Sequence, residues 1–154
     1  MYKRQIGNRL AWEEALERAS AQVAGGTAAT VITIDVDRLK DTNDTYGHDA
    51  GDRLIRGVAA ALQRSVRDDD DLARIGGDEF AALTLGPDEG SRETLLSRIR
   101  AEIAAVDVAG GIPVSASIGV ASCPPCVTLE DAVKLADERL YQEKTAAELR
   151  RRTG

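Results

Sequence analysis

The run Ala28 to Val36 (A-A-T-V-I-T-I-D-V) restricts this chain more than any other stretch. It is β-branched and apolar at both odd and even positions, so as a strand it must be covered on both faces. Helices packed on either side of a sheet supply that cover. Helical material stands on both sides of the run. Asn8 to Ala24 carries Leu10, Ala15, Leu16, Ala19 and Val23 near helical spacing and stops at Gly25-Gly26. Arg38 to Asp44 is polar and turn-rich, and Thr45 to Asp52 opens a helix with the stripe Leu54, Ile55, Val58, Ala61 and Leu62.

Ile75-Gly76-Gly77-Asp78-Glu79-Phe80 predicts a tight hairpin between strands Leu72–Ile75 and Glu79–Leu85. A Gly-Gly pair suits the positive φ of two-residue I′ or II′ turns. Asp88 to Val106 reads as a third amphipathic helix, with Leu95, Leu96, Ile99, Ile103 and Val106 inward. Pro113 to Ala121 reads as another strand, and Thr128 with Asp131 caps a last helix through Lys144. The resulting order is βαββαβ after a leading helix, an α/β (α+β) chain with a mixed central sheet flanked by helices.

Composition narrows the function. A chain of 154 residues with 43% apolar content suits one domain, residues 1–154, and 3% aromatics leave the core to Ala, Val, Leu and Ile. The net charge of −6, with no basic block before the last few residues, offers no track for a nucleic-acid backbone. Ala28 to Ile34 is far short of the ~20 apolar residues that span a bilayer. With no signal peptide in view, the expectation is a cytoplasmic domain that makes no membrane contact. Cys123-Pro124-Pro125-Cys126 has redox or zinc spacing, but no second Cys or His pair completes a tetrahedral site and His48 is the only histidine. A proline-stiffened connector is the simpler reading.

Acidic residues stand where strands rarely carry them. Asp35 and Asp37 are two positions apart, on one face if the pleat continues, and Asp78 and Glu79 stand at the hairpin tip. If the Ala28–Val36 strand neighbours the hairpin, Asp35 meets Asp78 and Glu79 at one edge of the sheet. Carboxylates brought together are relieved by protonation or by a divalent metal, and Mg²⁺ favours such oxygen ligands beside substrate phosphates.

Beyond these carboxylates, the sequence contains Lys40, the run Asn43-Asp44-Thr45-Tyr46-Gly47-His48-Asp49-Ala50-Gly51-Asp52, Arg74, Ser117-Ile118-Gly119-Val120 and Ala136-Asp137-Glu138-Arg139-Leu140-Tyr141 with Lys144. In this order and spacing, from about Asn8 to Lys144, the chain resembles the GGDEF domains, or diguanylate cyclases, which join two GTP molecules into cyclic di-GMP. The resemblance implies a fold similar to the adenylyl cyclase catalytic domain and the polymerase palm. It implies that Asp35, Asp78 and the carbonyl of Val36 hold Mg²⁺, or Mn²⁺, with Glu79 beside them, and that Asp78 is a candidate proton acceptor. Asn43 and Asp52 match positions that read guanine, whose N1 and N2 hydrogens an ionised Asp can accept. Lys40 and Lys144 match phosphate-contacting positions, and His48 lies beside the nucleotide positions. Arg67, Asp70 and Arg98 match an inhibitory site for the cyclic di-GMP product.

The family's reaction needs two GTP-loaded subunits facing each other, so the resemblance also implies a homodimer, normally assembled by an upstream sensory domain that this chain lacks. The chain thus looks like a fragment of a longer regulated protein, with a truncated or altered start in which only Ile6, Asn8 and Arg9 match the family's opening segment. A second departure is Glu148, where the family commonly places an arginine. Besides the active enzyme, the pattern admits a module that binds cyclic di-GMP or GTP as a sensor. A synthase of mixed purine choice is disfavoured by Asp52.

Overall fold

Every residue of β1, Ala29–Val36, is buried, in a computed structural model that describes residues 5–86, 92–108, 110–123 and 128–154. The double-sided cover required by the sequence is present. Ile32, Ile34 and Val36 pack with Leu54, Val58 and Leu62 of α3 (His48–Ser65) and with Ile99 and Ile103 of α4 (Arg92–Ala104). Ala29 and Val31 face the other way, toward Trp12, Ala19 and Val23 of α1 (Arg9–Ala24) and Ala132 and Ala136 of α5 (Leu129–Thr153). Each branched side chain buried in this way stabilises the fold by about 1.5–3 kcal/mol.

The remaining strands are β2 (Asp71–Arg74), β3 (Glu79–Leu85) and β4 (Ala116–Cys123), in the sheet order β2-β3-β1-β4. All three pairings are antiparallel, where the sequence suggested a mixed sheet. The reason lies in the split βαβ arrangement: each helical crossover returns the chain parallel to its start, but with another strand between, so neighbours run oppositely. Among the described residues, parallel pairing is confined to an isolated bridge between Gly7 and Ala73.

Local chemistry sets most boundaries. Asn8 caps α1 by accepting from the Ala11 N–H at 2.9 Å, and Thr128 caps α5 by accepting from Asp131 N–H at 3.1 Å. Several boundaries differ from expectation. Leu39–Tyr46 is a helix, α2, rather than a turn, entered through Arg38 at φ 62° and separated from α3 by Gly47 at φ 89°. Its buried Thr42, with Leu39 against the core, shows that packing overrides the weak helix preference of this polar segment. Leu10 is exposed, and Trp12 takes the inward position on α1. The final helix continues past Lys144 to Thr153, and β4 begins at Ala116. Cys123 is buried at the end of β4, while Cys126 and the expected helix start at Asp88 lie outside the described residues.

One glycine decides how closely α5 approaches the sheet. A Cβ at Gly119 of β4 would overlap the Ala136 carbonyl and lie 2.6 Å from Leu140 N, so the helix backbone rests directly on the strand. That approach carries Lys144, one turn beyond Leu140, to the end of β1.

Candidate functional site

The antiparallel register sets Asp35 opposite Glu79, so both side chains leave the sheet on the face covered by α1 and α5. Asp78 precedes β3 in the turn. One carboxylate oxygen from each of Asp35, Asp78 and Glu79 lies within 4.8 Å of the others. The turn is tied to β1 by the Val36 N–H, which donates to the Asp78 carbonyl at 2.8 Å. Val36, the last residue of β1, thus joins that strand to the turn through its N–H.

The hairpin itself differs from a two-residue primed turn. Neither Gly76 nor Gly77 has positive φ. Ile75 N–H donates to Glu79 O at 2.9 Å, and Gly76 to Asp78 span the gap between that pair, a longer loop with no need of the left-handed region. Gly76 leaves room for the Glu79 side chain: a Cβ there would lie 3.2 Å from Glu79 Oε2, a tight contact. Arg74 closes the loop, donating through Nε to Gly76 O at 3.2 Å and through Nη2 to Gly77 O at 2.6 Å.

Lys144 brings the counter-charge, its Nζ 3.0 Å from Asp35 Oδ2. Burial pushes the Asp35 carboxyl above its ordinary 3.8, Asp78 and Glu79 push the same way, and the Lys144 hydrogen bond only partly offsets them. The Lys144 ammonium is raised, first by that hydrogen bond and further by the charges of Asp35, Asp78 and Glu148. Asp137 of α5 is also raised, by burial and then by Glu79. Asp37 does not join the group. It accepts from Ser115 Oγ at 2.8 Å and Ser117 Oγ at 3.0 Å, which draw it toward β4.

The donor set fits a hard divalent cation: three carboxylates, no sulfur or imidazole, and one member, Asp35, buried with its charge only partly compensated.

The other sequence-derived positions lie on α2 and α3, which follow β1. Asn43 is half-buried against Gly51, where a Cβ would overlap its Oδ1, and that Oδ1 is buried without a hydrogen-bond partner among the described residues. Asp52, the next residue after Gly51, is exposed, as are Lys40 and His48. Among the described residues no hydrogen bond or ion pair joins Lys40, His48 or Asp52 to the carboxylates.

Arg67 and Asp70 form a closed turn. Asp70 Oδ2 accepts the Arg67 backbone N–H at 2.8 Å and faces Arg67 Nε at 3.7 Å, with the Asp70 side chain only 5% exposed. Burial raises the Asp70 carboxyl above its ordinary value. Both residues line a cavity of about 210 Å³ shared with Trp12, Arg18 and Leu72. Arg98 is exposed on α4, and among the described residues no hydrogen bond or ion pair joins it to Arg67 or Asp70.

Sequence reasoning missed the Lys144–Asp35 contact, the Ser115 and Ser117 hold on Asp37, and the Arg74 clamp. The first spans 109 positions and carries no local signal. The third had one: an arginine two residues before a glycine pair.

An antiparallel split βαβ sheet with an acidic turn beside its central strand defines a class, the palm fold of nucleotide cyclases. The profile described as "Diguanylate cyclase, GGDEF domain" matches residues 4–150, and the chain belongs to that family. Curated relatives include the Escherichia coli K12 diguanylate cyclase DosC, 37% identical over 123 residues that cover 77% of this chain and 27% of that protein. The probable diguanylate cyclase DgcI of the same organism is 44% identical over 111 residues, 71% of this chain and 24% of that protein. The chain thus spans about a quarter of the length of these relatives. Among solved structures, the GGDEF domain of DgcB from Caulobacter crescentus in complex with c-di-GMP superposes with a TM-score of 0.81 at 30% identity, covering 95% of this chain and 90% of that one. The FimX GGDEF domain of Pseudomonas aeruginosa, at 20% identity and a TM-score of 0.80 over 93% and 94% of the two chains, shares the fold. No helix among the described residues is long and apolar enough to cross a membrane.

Proposed function

We propose that this chain is the catalytic domain of a diguanylate cyclase, condensing two GTP into cyclic di-GMP with release of pyrophosphate. The observation that carries the reading is the convergence of Asp35, Asp78 and Glu79 oxygens within 4.8 Å, from the end of β1 and from the turn into β3. These carboxylates, with the Val36 carbonyl, would hold Mg²⁺ or Mn²⁺. When bound, such a cation neutralises phosphate charge and lowers the pKa of the attacking hydroxyl.

The protein's own groups do the rest. Asn43, with its unsatisfied Oδ1, and Asp52 read the guanine edge, and His48 lies beside them. Lys40 and Lys144 contact phosphates as point charges; for that, Lys144 must leave Asp35. In each half-reaction the 3′-oxygen of one nucleotide forms a bond to the α-phosphorus of the other, the bond to pyrophosphate breaks, and the hydroxyl proton passes to Asp78 or to solvent. The two nucleotides are presented by two copies of the domain, brought together in a longer cytoplasmic protein by an upstream sensory domain. Product returns to Arg67 and Asp70, with Arg98 as a further contact, and restrains the enzyme.

A second reading, a sensor that binds GTP or cyclic di-GMP without turnover, draws on one observation: Lys144 is engaged with Asp35, with Glu148 adding negative charge nearby. The test is incubation of a zipper-fused dimer with GTP and Mg²⁺, with cyclic di-GMP detected by mass. Wild type is expected to form product, and Asp78→Ala to lose it at an unchanged melting temperature. Nucleotide binding without product supports the sensor instead.

A further inference from the structure

Of the three carboxylates, Asp78 alone stands outside the strands, and its direction depends on the two peptide planes that flank its Cα. The plane after it is fixed by β1, because Val36 N–H donates to Asp78 O at 2.8 Å. The plane before it belongs to Gly77, whose carbonyl accepts from Arg74 Nη2 at 2.6 Å, and the plane before that is held through Gly76 O by Arg74 Nε at 3.2 Å. Nothing intrinsic to the two glycines fixes these planes, since they are the least restricted residues a chain can carry. Gly77 also has open space around it, with no heavy atom within 4 Å of where a Cβ would stand.

We propose that Arg74 is a positioning residue for Asp78, its guanidinium locking the Gly76-Gly77 turn so that the Asp78 carboxylate converges with Asp35 and Glu79. This rests on the reading of Asp78 as a metal-holding residue. Among the described residues Arg74 makes no hydrogen bond or ion pair with the carboxylates, and it acts through backbone carbonyls. Its own backbone belongs to β2, opposite Phe80, with Arg74 N–H donating to Gly7 O, so the side chain can be altered without removing a sheet bond. The guanidinium fork is needed because donors in fixed geometry must reach successive carbonyls, whereas an ammonium is a single point of attachment.

The test is Mn²⁺ binding to the whole chain without nucleotide, by calorimetry, with melting temperature and cyclic di-GMP formation measured alongside. Arg74→Ala is expected to weaken Mn²⁺ binding about tenfold or more, as loss of a supporting partner of a metal ligand does, with little change in melting temperature. Arg74→Lys is expected to fall between wild type and Arg74→Ala, and it carries the test should the alanine variant fail to fold. Wild-type Mn²⁺ affinity in Arg74→Lys and in any folded Arg74→Ala overturns the proposal. An Asp78→Ala control separates the two failures. If that control loses Mn²⁺ while the Arg74 variants keep it, only the positioning role falls; if it binds as wild type does, the metal reading falls and takes the positioning role with it.

Discussion

Replacing Lys144 with methionine removes the ammonium that touches the carboxylate group while keeping an unbranched side chain on α5. Asp35 is 8% exposed at its side chain, so removing its partner leaves a nearly buried carboxylate beside Asp78 and Glu79. Breaking a buried pair from one side costs about 3–5 kcal/mol. Lys144 is 44% exposed, however, and solvent screening lowers the expected loss to about 1–2 kcal/mol. At about 2–4 °C per kcal/mol for a chain of this size, the melting temperature should fall by about 2–8 °C.

Two conditions should close that deficit. Asp35 already has a folded-state pKa above its ordinary 3.8, chiefly from burial, and loss of Lys144 raises it further. A carboxyl raised on folding contributes stability that is present below its unfolded pKa and lost as pH rises through the folded one. The variant should therefore show its full deficit at neutral pH and recover as the medium is acidified toward 3.8. Divalent cation acts in the same direction: at about 100 times its dissociation constant a ligand adds about 2.7 kcal/mol, and it gains most where no ammonium contends for Asp35. Urea unfolding followed by circular dichroism, at neutral and acid pH with and without Mg²⁺, measures all four conditions. A deficit of constant size across them would refute the claim that Asp35 is the common ligand of Lys144, proton and metal.

Further predictions concern the scaffold. Gly119→Val should destabilise by about 1–3 kcal/mol or more, because the new side chain must push the backbone of α5 at Ala136 and Leu140 off β4; the urea midpoint measures this, and an unchanged midpoint contradicts the close contact. Asp70→Asn keeps an acceptor for the Arg67 N–H but removes the buried charge, so it should be as stable as wild type at neutral pH and lack the gain in stability that Asp70 gives on acidification. Unfolding midpoints of both proteins across the acid range provide the check.

Much of this architecture was legible because it is local. The two-faced apolar run of β1, the span Glu79–Leu85 of β3 and the Thr128 cap of α5 follow from residue type and spacing alone. Asp35 and Asp78 were paired on the condition that the hairpin neighbours the Ala28–Val36 strand, and the β1–β3 register meets that condition. Features decided by competing partners were not legible. Asp37 has the same spacing from Asp35 that suggests a shared site, yet Ser115 and Ser117 hold it elsewhere. The segment Leu39–Tyr46 looks like a turn and folds as a helix because its neighbours bury one side of it.

The sequence by itself determined which groups are available: oxygen donors at the end of one strand and the tip of a hairpin, and a chain that must layer helices on both faces of a sheet. Tertiary structure alone decided which of those groups meet, placing Lys144 on Asp35 across 109 positions and clamping a glycine turn with Arg74. The reason is physical: periodicity reports which face a residue takes, whereas pairing depends on how closely one element can approach another, and here that is set by a missing side chain at Gly119.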